Sequence, residues 1–265
     1  MNAFGRFWLL YARNVRQFPR IPTVLVFGIM MPIIQLLLFG SIFSATTETP
    51  GHPYQGQNYY SFILPAIILL TAFLGMANSS AAFIVDLRTG YFDKLRTTPA
   101  NPAAILFARI LAETTRVTVQ ATMILLIAII PTNGVILDAA IKTGFAGAVV
   151  MILASVVFST MVSGLFALAL AMKTRSDQAT QSAFPLFFIL LFLSTAYMPE
   201  ALLPGWLQNV VKLNPIDYLI QGLRSLVFDG WSEALPNIGI GLAFGAAIGL
   251  VLTFVNVRIY KATVS

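Results

Sequence analysis

Cysteine is absent from this chain of 265 residues, and histidine occurs once, at His52. Without thiols the chain can form neither a disulfide nor a thiolate metal site, and it has no cysteine nucleophile. A single histidine also excludes a metal site built from several imidazoles and leaves no histidine–carboxylate set for acid–base catalysis. The sequence therefore predicts that the chain by itself is not an enzyme and binds no cofactor or metal.

Charged residues are also scarce. They make up 10% of the chain, against about 25% in soluble domains, whereas hydrophobic residues make up 58%. With a mean hydropathy of +0.83, this much apolar surface cannot be buried in one water-soluble core. The composition predicts a membrane protein.

Long apolar stretches give the number of spans, because a spanning helix needs about 20 mostly apolar residues. The third stretch, at about 111–131, contains Arg116 and Gln120, and we expect Arg116 to reach back to the membrane interface. In the last, Gly241, Gly245 and Gly249 form two overlapping GxxxG units that should pack against a neighbouring helix. Six stretches qualify, approximately at 21–43, 59–85, 111–131, 144–172, 183–198 and 238–257.

The positions of the basic residues orient these spans, since Lys and Arg are retained on the cytoplasmic side. With both termini inside, thirteen of the 16 Lys and Arg residues face the cytoplasm, and only Lys142, Lys212 and Arg224 lie outside. The net charge of +6 thus sits beside apolar spans, which favours an anionic membrane surface over nucleic acid. We expect a multi-pass protein of a bacterial or archaeal cytoplasmic membrane with both termini cytoplasmic.

Two amphipathic segments complete the predicted fold. Residues 1–20 place large apolar side chains at helical spacing and end at prolines, which predicts an interfacial helix. In the extracellular segment 199–236, Asn214 and Pro215 are typical of a helix start, and about 13 helical residues reach only about 20 Å. We predict an all-α membrane protein with six transmembrane helices and a short re-entrant or interfacial helical segment between spans 5 and 6. The apolar face of that segment would contain Ile216, Leu219, Ile220, Leu223, Leu226 and Val227, opposite Asp217, Gln221 and Arg224.

No phosphate-loop motif G-x-x-x-x-G-K-[ST] occurs in the sequence, and the longest cytoplasmic connection, 86–110, is far shorter than a nucleotide-binding domain. Energy for transport must then come from a partner or from an ion gradient. Gradient-driven carriers usually keep a titratable group deep in the membrane. The deepest acid here is Glu113, flanked at i−4 and i+3 by Arg109 and Arg116, where ion pairing along one helix face is the simpler explanation.

The charged stretch GYFDKLRTTPANP, residues 90–102, interrupts the apolar pattern. Tyr91, Phe92 and Leu95 meet on one side of a short helix that Pro99 ends. Aromatic anchors with flanking charges suit a docking surface for a soluble protein. The alternative is a membrane-surface loop that only satisfies the charge asymmetry, and the residues alone leave both open.

Polar side chains within or near the apolar spans are candidates for a substrate pathway. Such groups also serve as hydrogen-bonding contacts between helices, and both roles remain open. The candidates are Gln35, Asn78, Ser79, Ser194 and Tyr197.

Two motifs carry a family resemblance that covers essentially the whole chain. The loop DLRTGYFDKLRTTP at 86–99 follows the second span, and NPIDYLIQGLR at 214–224 precedes the sixth. With six spans and an amphipathic N-terminal helix, this pattern resembles the ABC-2 type membrane subunits of ATP-binding-cassette exporters, particularly the daunorubicin-resistance type.

The resemblance implies a dimer of such chains, with itself or with a related chain, and two separate ATPase subunits that use ATP and Mg²⁺. It also implies a cytoplasmic coupling helix at 88–99, with the N-terminal helix packed beside it. The coupling residues would be Arg88, Gly90, Tyr91, Phe92, Asp93, Leu95 and Arg96, with Arg13, Phe18 and Arg20 in the N-terminal helix.

We therefore expect a permease subunit of an ABC exporter that moves a hydrophobic drug-like or lipid-like substrate out of the cytoplasm or inner leaflet. One alternative is export of a lipid-linked glycan by the same mechanism. Another is a gradient-driven carrier or a structural membrane protein with no ATPase.

Overall fold

The computed structural model describes residues 3–17, 22–48, 57–88, 102–129, 141–176 and 184–264. Within these residues the chain forms nine α-helices and no β-strand, and short 3₁₀ turns lie at Ser44–Glu48 and Glu200–Leu202. The predicted all-α class is confirmed. The helices are α1 Ala3–Gln17, α2 Pro22–Phe43, α3 Tyr59–Arg88, α4 Pro102–Ile129, α5 Gly144–Thr174, α6 Phe184–Phe192, α7 Gly205–Val211, α8 Pro215–Phe228 and α9 Trp231–Val264.

Helix α3 lies at the centre of the fold. Every residue from 61 to 73 is buried, and α2, α4, α5 and α8 all pack against α3. A helix that is covered on every side has no polar face, which explains why residues 62–70 are all apolar. The hydroxyl of the buried Thr71 donates a hydrogen bond to the Ile67 carbonyl at 2.7 Å, so it needs no partner outside the helix.

In the described part of the chain, four helices are long and apolar enough to cross a membrane, and α2 contributes a shorter apolar stretch at Gly28–Phe43. In the most apolar window of Tyr59–Ala77, 89% of the residues are buried, against 22% in that of Trp231–Ile259, so α9 is peripheral. The four candidates are Tyr59–Ala77, Phe107–Ile129, Gly144–Thr174 and Trp231–Ile259.

The structure differs from the expected boundaries around the fifth and sixth spans. Helix α6 ends at Phe192, six residues before the expected end of the fifth span at residue 198. Helix α9 begins at Trp231 and already contains Pro236, which the sequence pattern placed in the extracellular segment. Proline at this position, in the second turn of the helix, removes one backbone hydrogen-bond donor.

The glycines of the two GxxxG units pack against neighbouring helices, as predicted. A Cβ on Gly241 would lie 2.9 Å from Leu219 Cβ in α8, and one on Gly245 would lie 2.6 Å from the Phe158 ring in α5. A Cβ on Gly249 would lie 3.1 Å from the Cβ of Met161 in α5. That part of α5, Thr160–Gly164, is a π-helical turn.

Helix α8 begins as its sequence predicts, with Asn214 as N-cap and proline in the first turn, and its predicted apolar face is buried. The two charged side chains of the opposite face are buried as well. Asp217 is 2% exposed and Arg224 is 3% exposed. Both are covered because α8 lies between α9, α3 and the end of α6, so two of its charged side chains face protein.

Candidate functional site

The buried polar face of α8 holds the turn that follows α6, residues 193–199, here called the Tyr197 turn. At the start of α8 the Asn214 carbonyl oxygen accepts from the Ile216 N–H at 3.1 Å. Its amide donates to the carbonyls of Leu190 at 2.7 Å and Leu193 at 2.8 Å. One side chain therefore caps the beginning of α8 and the end of α6, where backbone groups lack helical partners.

Asp217 binds the next part of the turn. Its Oδ1 accepts from the Thr195 N–H at 2.6 Å and from the Thr195 hydroxyl at 2.7 Å. Its second oxygen accepts from the Gln221 amide one helical turn later. Burial raises the pKa of Asp217, and these hydrogen bonds, together with the nearby positive charge of Arg224, oppose that rise.

Arg224 fixes the same turn from the other side. Its Nη2 donates to the carbonyls of Thr195 at 2.8 Å and Ala196 at 3.4 Å, and its Nε donates to the Phe62 carbonyl in α3 at 3.2 Å. The guanidinium also lies 3.7 Å from the centre of the Phe62 ring. A buried charge is costly unless its donors are hydrogen-bonded, and these carbonyls accept several of the guanidinium donors.

Two of the predicted pathway residues meet at this turn. Gln35 in α2 donates to the Tyr197 hydroxyl at 2.6 Å, across 162 positions of sequence. The Tyr59 hydroxyl donates to the Tyr197 carbonyl at 2.6 Å. The Tyr197 ring lies 4.8 Å from that of Phe39 and 5.0 Å from that of Phe192, measured between ring centres.

The other predicted pathway residues are placed differently. Ser194 is buried, donates to the Leu191 carbonyl and accepts from the Ala196 N–H at 3.2 Å, so its hydroxyl stabilises the turn itself. Asn78 and Ser79 belong to α3, and their side chains lie outside the described residues.

An apolar surface adjoins the Gln35–Tyr197 pair. It consists of exposed apolar side chains on one face of α2 and one of α6, next to the ring contacts that Tyr197 makes with Phe39 and Phe192. In a membrane protein such a surface contacts lipid, a second chain or an apolar ligand. Its exposed residues are Ile34, Leu38, Ile42, Leu186, Ile189 and Phe192.

A second buried polar cluster lies in α4. Glu113 and Arg116 form the predicted ion pair at 2.8 Å. Arg116 is 8% exposed and donates to the Gly75 carbonyl of α3 at 3.1 Å, so its side chain lies between two helices, and its depth at the membrane interface stays a prediction. Gln120, one turn further along, packs directly against Gly28 of α2. Helix α4 is thus joined to α2 and α3 by side chains that follow one another along one face.

The predicted coupling residues lie mostly outside the described part of the chain. Arg88 ends α3, with its side chain outside that part, and Arg13 lies partly buried in α1. Helix α1 packs along α4, where the Tyr11 and Thr115 hydroxyls are 3.0 Å apart. The structure thus places α1 beside the helix that follows the coupling segment. Residues outside the description are Phe18, Arg20, Gly90, Tyr91, Phe92, Asp93, Leu95 and Arg96.

The sequence did not predict the contacts by which Asp217 and Arg224 of α8 hold the Tyr197 turn, here called the clamp. One signal was available, because Asp217, Gln221 and Arg224 recur at i, i+4 and i+7 as a narrow polar stripe. In a membrane protein such a stripe faces protein more often than lipid. Among the described residues, no three His, Asp or Glu side chains lie together in a way that could hold a metal ion.

Comparison with known proteins places the chain in a family. Over 254 residues, 94% of this chain and 83% of the relative, it is 26% identical to the daunorubicin resistance ABC transporter permease protein DrrB1 of Streptomyces coeruleorubidus. It is 32% identical over 222 residues to the putative transport permease ycf38 of Pyropia yezoensis, covering 82% of this chain and 72% of that one. It is 24% identical over 242 residues to the probable doxorubicin resistance ABC transporter permease protein DrrC of Mycobacterium tuberculosis, covering 91% of this chain and 82% of that one. Residues 5–228 match the family described as ABC-2 type transporter, and the chain belongs to that family.

Proposed function

We propose that this membrane permease subunit of an ABC transporter exports a hydrophobic drug-like or lipid-like substrate. The observation that carries the proposal is the apolar surface of α2 and α6, in which Gln35 and Tyr197 form the adjoining polar contact. An apolar site with few polar groups favours an apolar ligand. Two relatives whose names refer to daunorubicin and doxorubicin resistance support the same cargo class.

The proposed pathway runs along this surface. Gln35 and Tyr197 line it, and Asn78, Ser79 and Ser194 are further candidates. A second copy of the chain, or a related permease chain, would complete the pathway by covering the exposed faces of α2 and α6. The exposed apolar side chains on these two faces support a partner of this kind.

The proposed topology has six spans with both termini in the cytoplasm of a bacterial or archaeal cell. The four helices long enough to span, the apolar helix α2 and the segment that contains α6 supply the six. Helix α1 would lie at the cytoplasmic interface, which its exposed Trp8 and Leu9 support. Helices α7 and α8 would form the outer re-entrant segment.

Coupling to ATP would act through residues 88–99. Two separate ATPase subunits, which bind ATP and Mg²⁺, would dock there, and the movement of the segment would pass directly into α4 at Pro102. The Glu113–Arg116 pair and the bond from Arg116 to Gly75 would make α3 move with α4. Helix α1, packed along α4, would extend the same rigid unit.

Two substitutions test the coupling segment. We expect Phe92→Ala and Arg96→Glu to weaken docking by about 2 kcal/mol each, a loss of roughly 30-fold in affinity, because aromatic and Arg anchors dominate such interfaces. The measurements are ATP-driven transport and co-purification of the ATPase subunit. Lys173→Glu, a charge reversal at the exposed end of α5, is the matched control and should leave both unchanged. Normal transport by both variants with the ATPase still attached would contradict the assignment.

A further inference from the structure

In the Tyr197 turn, several backbone groups of residues 195–197 are hydrogen-bonded to side chains of α3 and α8. Asp217 holds the Thr195 N–H and hydroxyl, and Arg224 holds the carbonyls of Thr195 and Ala196. The carbonyl of Tyr197 itself is held by Tyr59. The backbone immediately before and after the Tyr197 side chain is thus bound by other helices.

Arg224 and Tyr59 fix the turn to the same part of α3. Arg224 donates to the Phe62 carbonyl and lies over the Phe62 ring, and Tyr59 is three residues earlier in α3, on the same helix face. The ring centres of Tyr59 and Phe62 are 5.6 Å apart. The position of the turn relative to the core is therefore set by α3 and α8, whereas the hydroxyl of Tyr197 points to α2.

We propose that Arg224 is a positioning residue for the substrate pathway. By fixing the Tyr197 turn, Arg224 holds the Tyr197 hydroxyl against Gln35, so it determines the position of the Gln35–Tyr197 hydrogen bond in the pathway. This inference rests on the proposed function only in taking Gln35 and Tyr197 as pathway residues. Arg224 itself is 3% exposed and acts through the turn.

Arginine suits this role because its planar, five-donor fork can reach several fixed acceptors at once. Here the acceptors are the Phe62 carbonyl, the two turn carbonyls and the Thr195 hydroxyl, the last at 3.3 Å from Nη1. A lysine carries the same charge on one nitrogen and cannot reproduce this geometry. Arg224→Lys therefore keeps the charge and loosens the turn.

The first test is a double-substitution cycle in the purified chain, which needs no knowledge of the cargo. If the clamp positions Tyr197, Gln35→Leu should lower the melting temperature in the unmodified chain and have at most half that effect in Arg224→Lys. Arg224 binds the Phe62 carbonyl and the turn that carries Tyr197, and Gln35 binds the Tyr197 hydroxyl, so a coupling energy between Arg224 and Gln35 is the signature expected of positioning through the turn. Additive shifts overturn the positioning role.

The second test measures transport by the complete complex with its ATPase subunits and uses daunorubicin as the probe. We expect Arg224→Lys and Tyr197→Phe each to raise KM about tenfold with kcat within about twofold, because both displace one binding contact. The double variant should match the single ones. A fall in kcat at unchanged KM would overturn the inference, since that pattern indicates general damage to the fold.

Arg258→Lys is the matched control for both tests. Arg258 also lies over an aromatic ring, 4.4 Å from that of Phe254, but it is exposed on α9. It should shift neither KM nor the effect of Gln35→Leu. The two tests also separate the claims, because additive melting shifts refute the positioning role whatever the chain transports. Coupled melting shifts in the purified chain, together with a complete complex that does not transport daunorubicin, count against the proposed function instead.

Discussion

Replacing Gly222 by alanine should destabilise the protein, because a side chain at this residue of α8 would meet the backbone of α9. A Cβ there would lie 2.6 Å from the Ile238 backbone nitrogen and 3.1 Å from the Ala234 carbonyl oxygen. Ordinary contacts begin at 3.4 Å, so the first distance is about 0.8 Å too short. Neither backbone atom can turn aside as a flexible side chain would, and α9 must shift.

Overpacking of this kind costs about 1–3 kcal/mol. Alanine recovers about 0.5–1 kcal/mol through its better helix propensity, which leaves a net loss centred near 1 kcal/mol, within about 0–2.5 kcal/mol, for Gly222→Ala. The matched control is Gly239→Ala in α9, where a Cβ meets nothing within 4 Å and the propensity gain should remain. Thermal unfolding in detergent, followed by circular dichroism, measures both. A Gly222→Ala protein that melts at or above the unmodified one would refute the packing of α8 on α9.

Two further predictions use the same measurement. Asn214→Asp should destabilise the protein by about 1–3 kcal/mol, because the two hydrogen bonds that the Asn214 amide donates to the end of α6 are lost. The capping of α8 itself should persist, since Asp is as good an N-cap as Asn. An unchanged stability would mean that Asn214 acts only as an N-cap. Arg116→Met should cost about 3–5 kcal/mol, because it removes a charge that lies 2.8 Å from the buried Glu113 carboxylate. Adding Glu113→Leu should restore part of that loss, and a double variant less stable than Arg116→Met would contradict the role of the ion pair.

The helices were predictable because their signals are local. Apolar length identified α2 through α5, and the Asn-Pro pair marked the first residue of α8. The close approach at Gly245 was predictable from glycine spacing alone, since small residues four positions apart form one face.

The clamp and the end of α6 were not predictable, since both depend on contacts between distant residues. Hydropathy continues past Phe192, so the apolar run predicted a longer span. In the folded chain the carbonyls after that residue bond instead to Asn214 and Arg224, more than 20 positions away. Periodicity likewise placed Asp217 and Arg224 on one face but could not indicate what would cover it. The acceptor of Arg116 was not predictable for the same reason, because it is the Gly75 carbonyl of another helix.

The central claim is that ATPase subunits drive this permease through residues 88–99, and reconstitution tests it most directly. The purified chain would be placed in vesicles alone, with its co-purified ATPase subunits, and with those subunits but carrying Arg96→Glu. Accumulation of daunorubicin would be measured with and without ATP and Mg²⁺. The account predicts uphill accumulation only in the second preparation and only with ATP. Uphill accumulation by the chain alone, driven by an ion gradient, would contradict it.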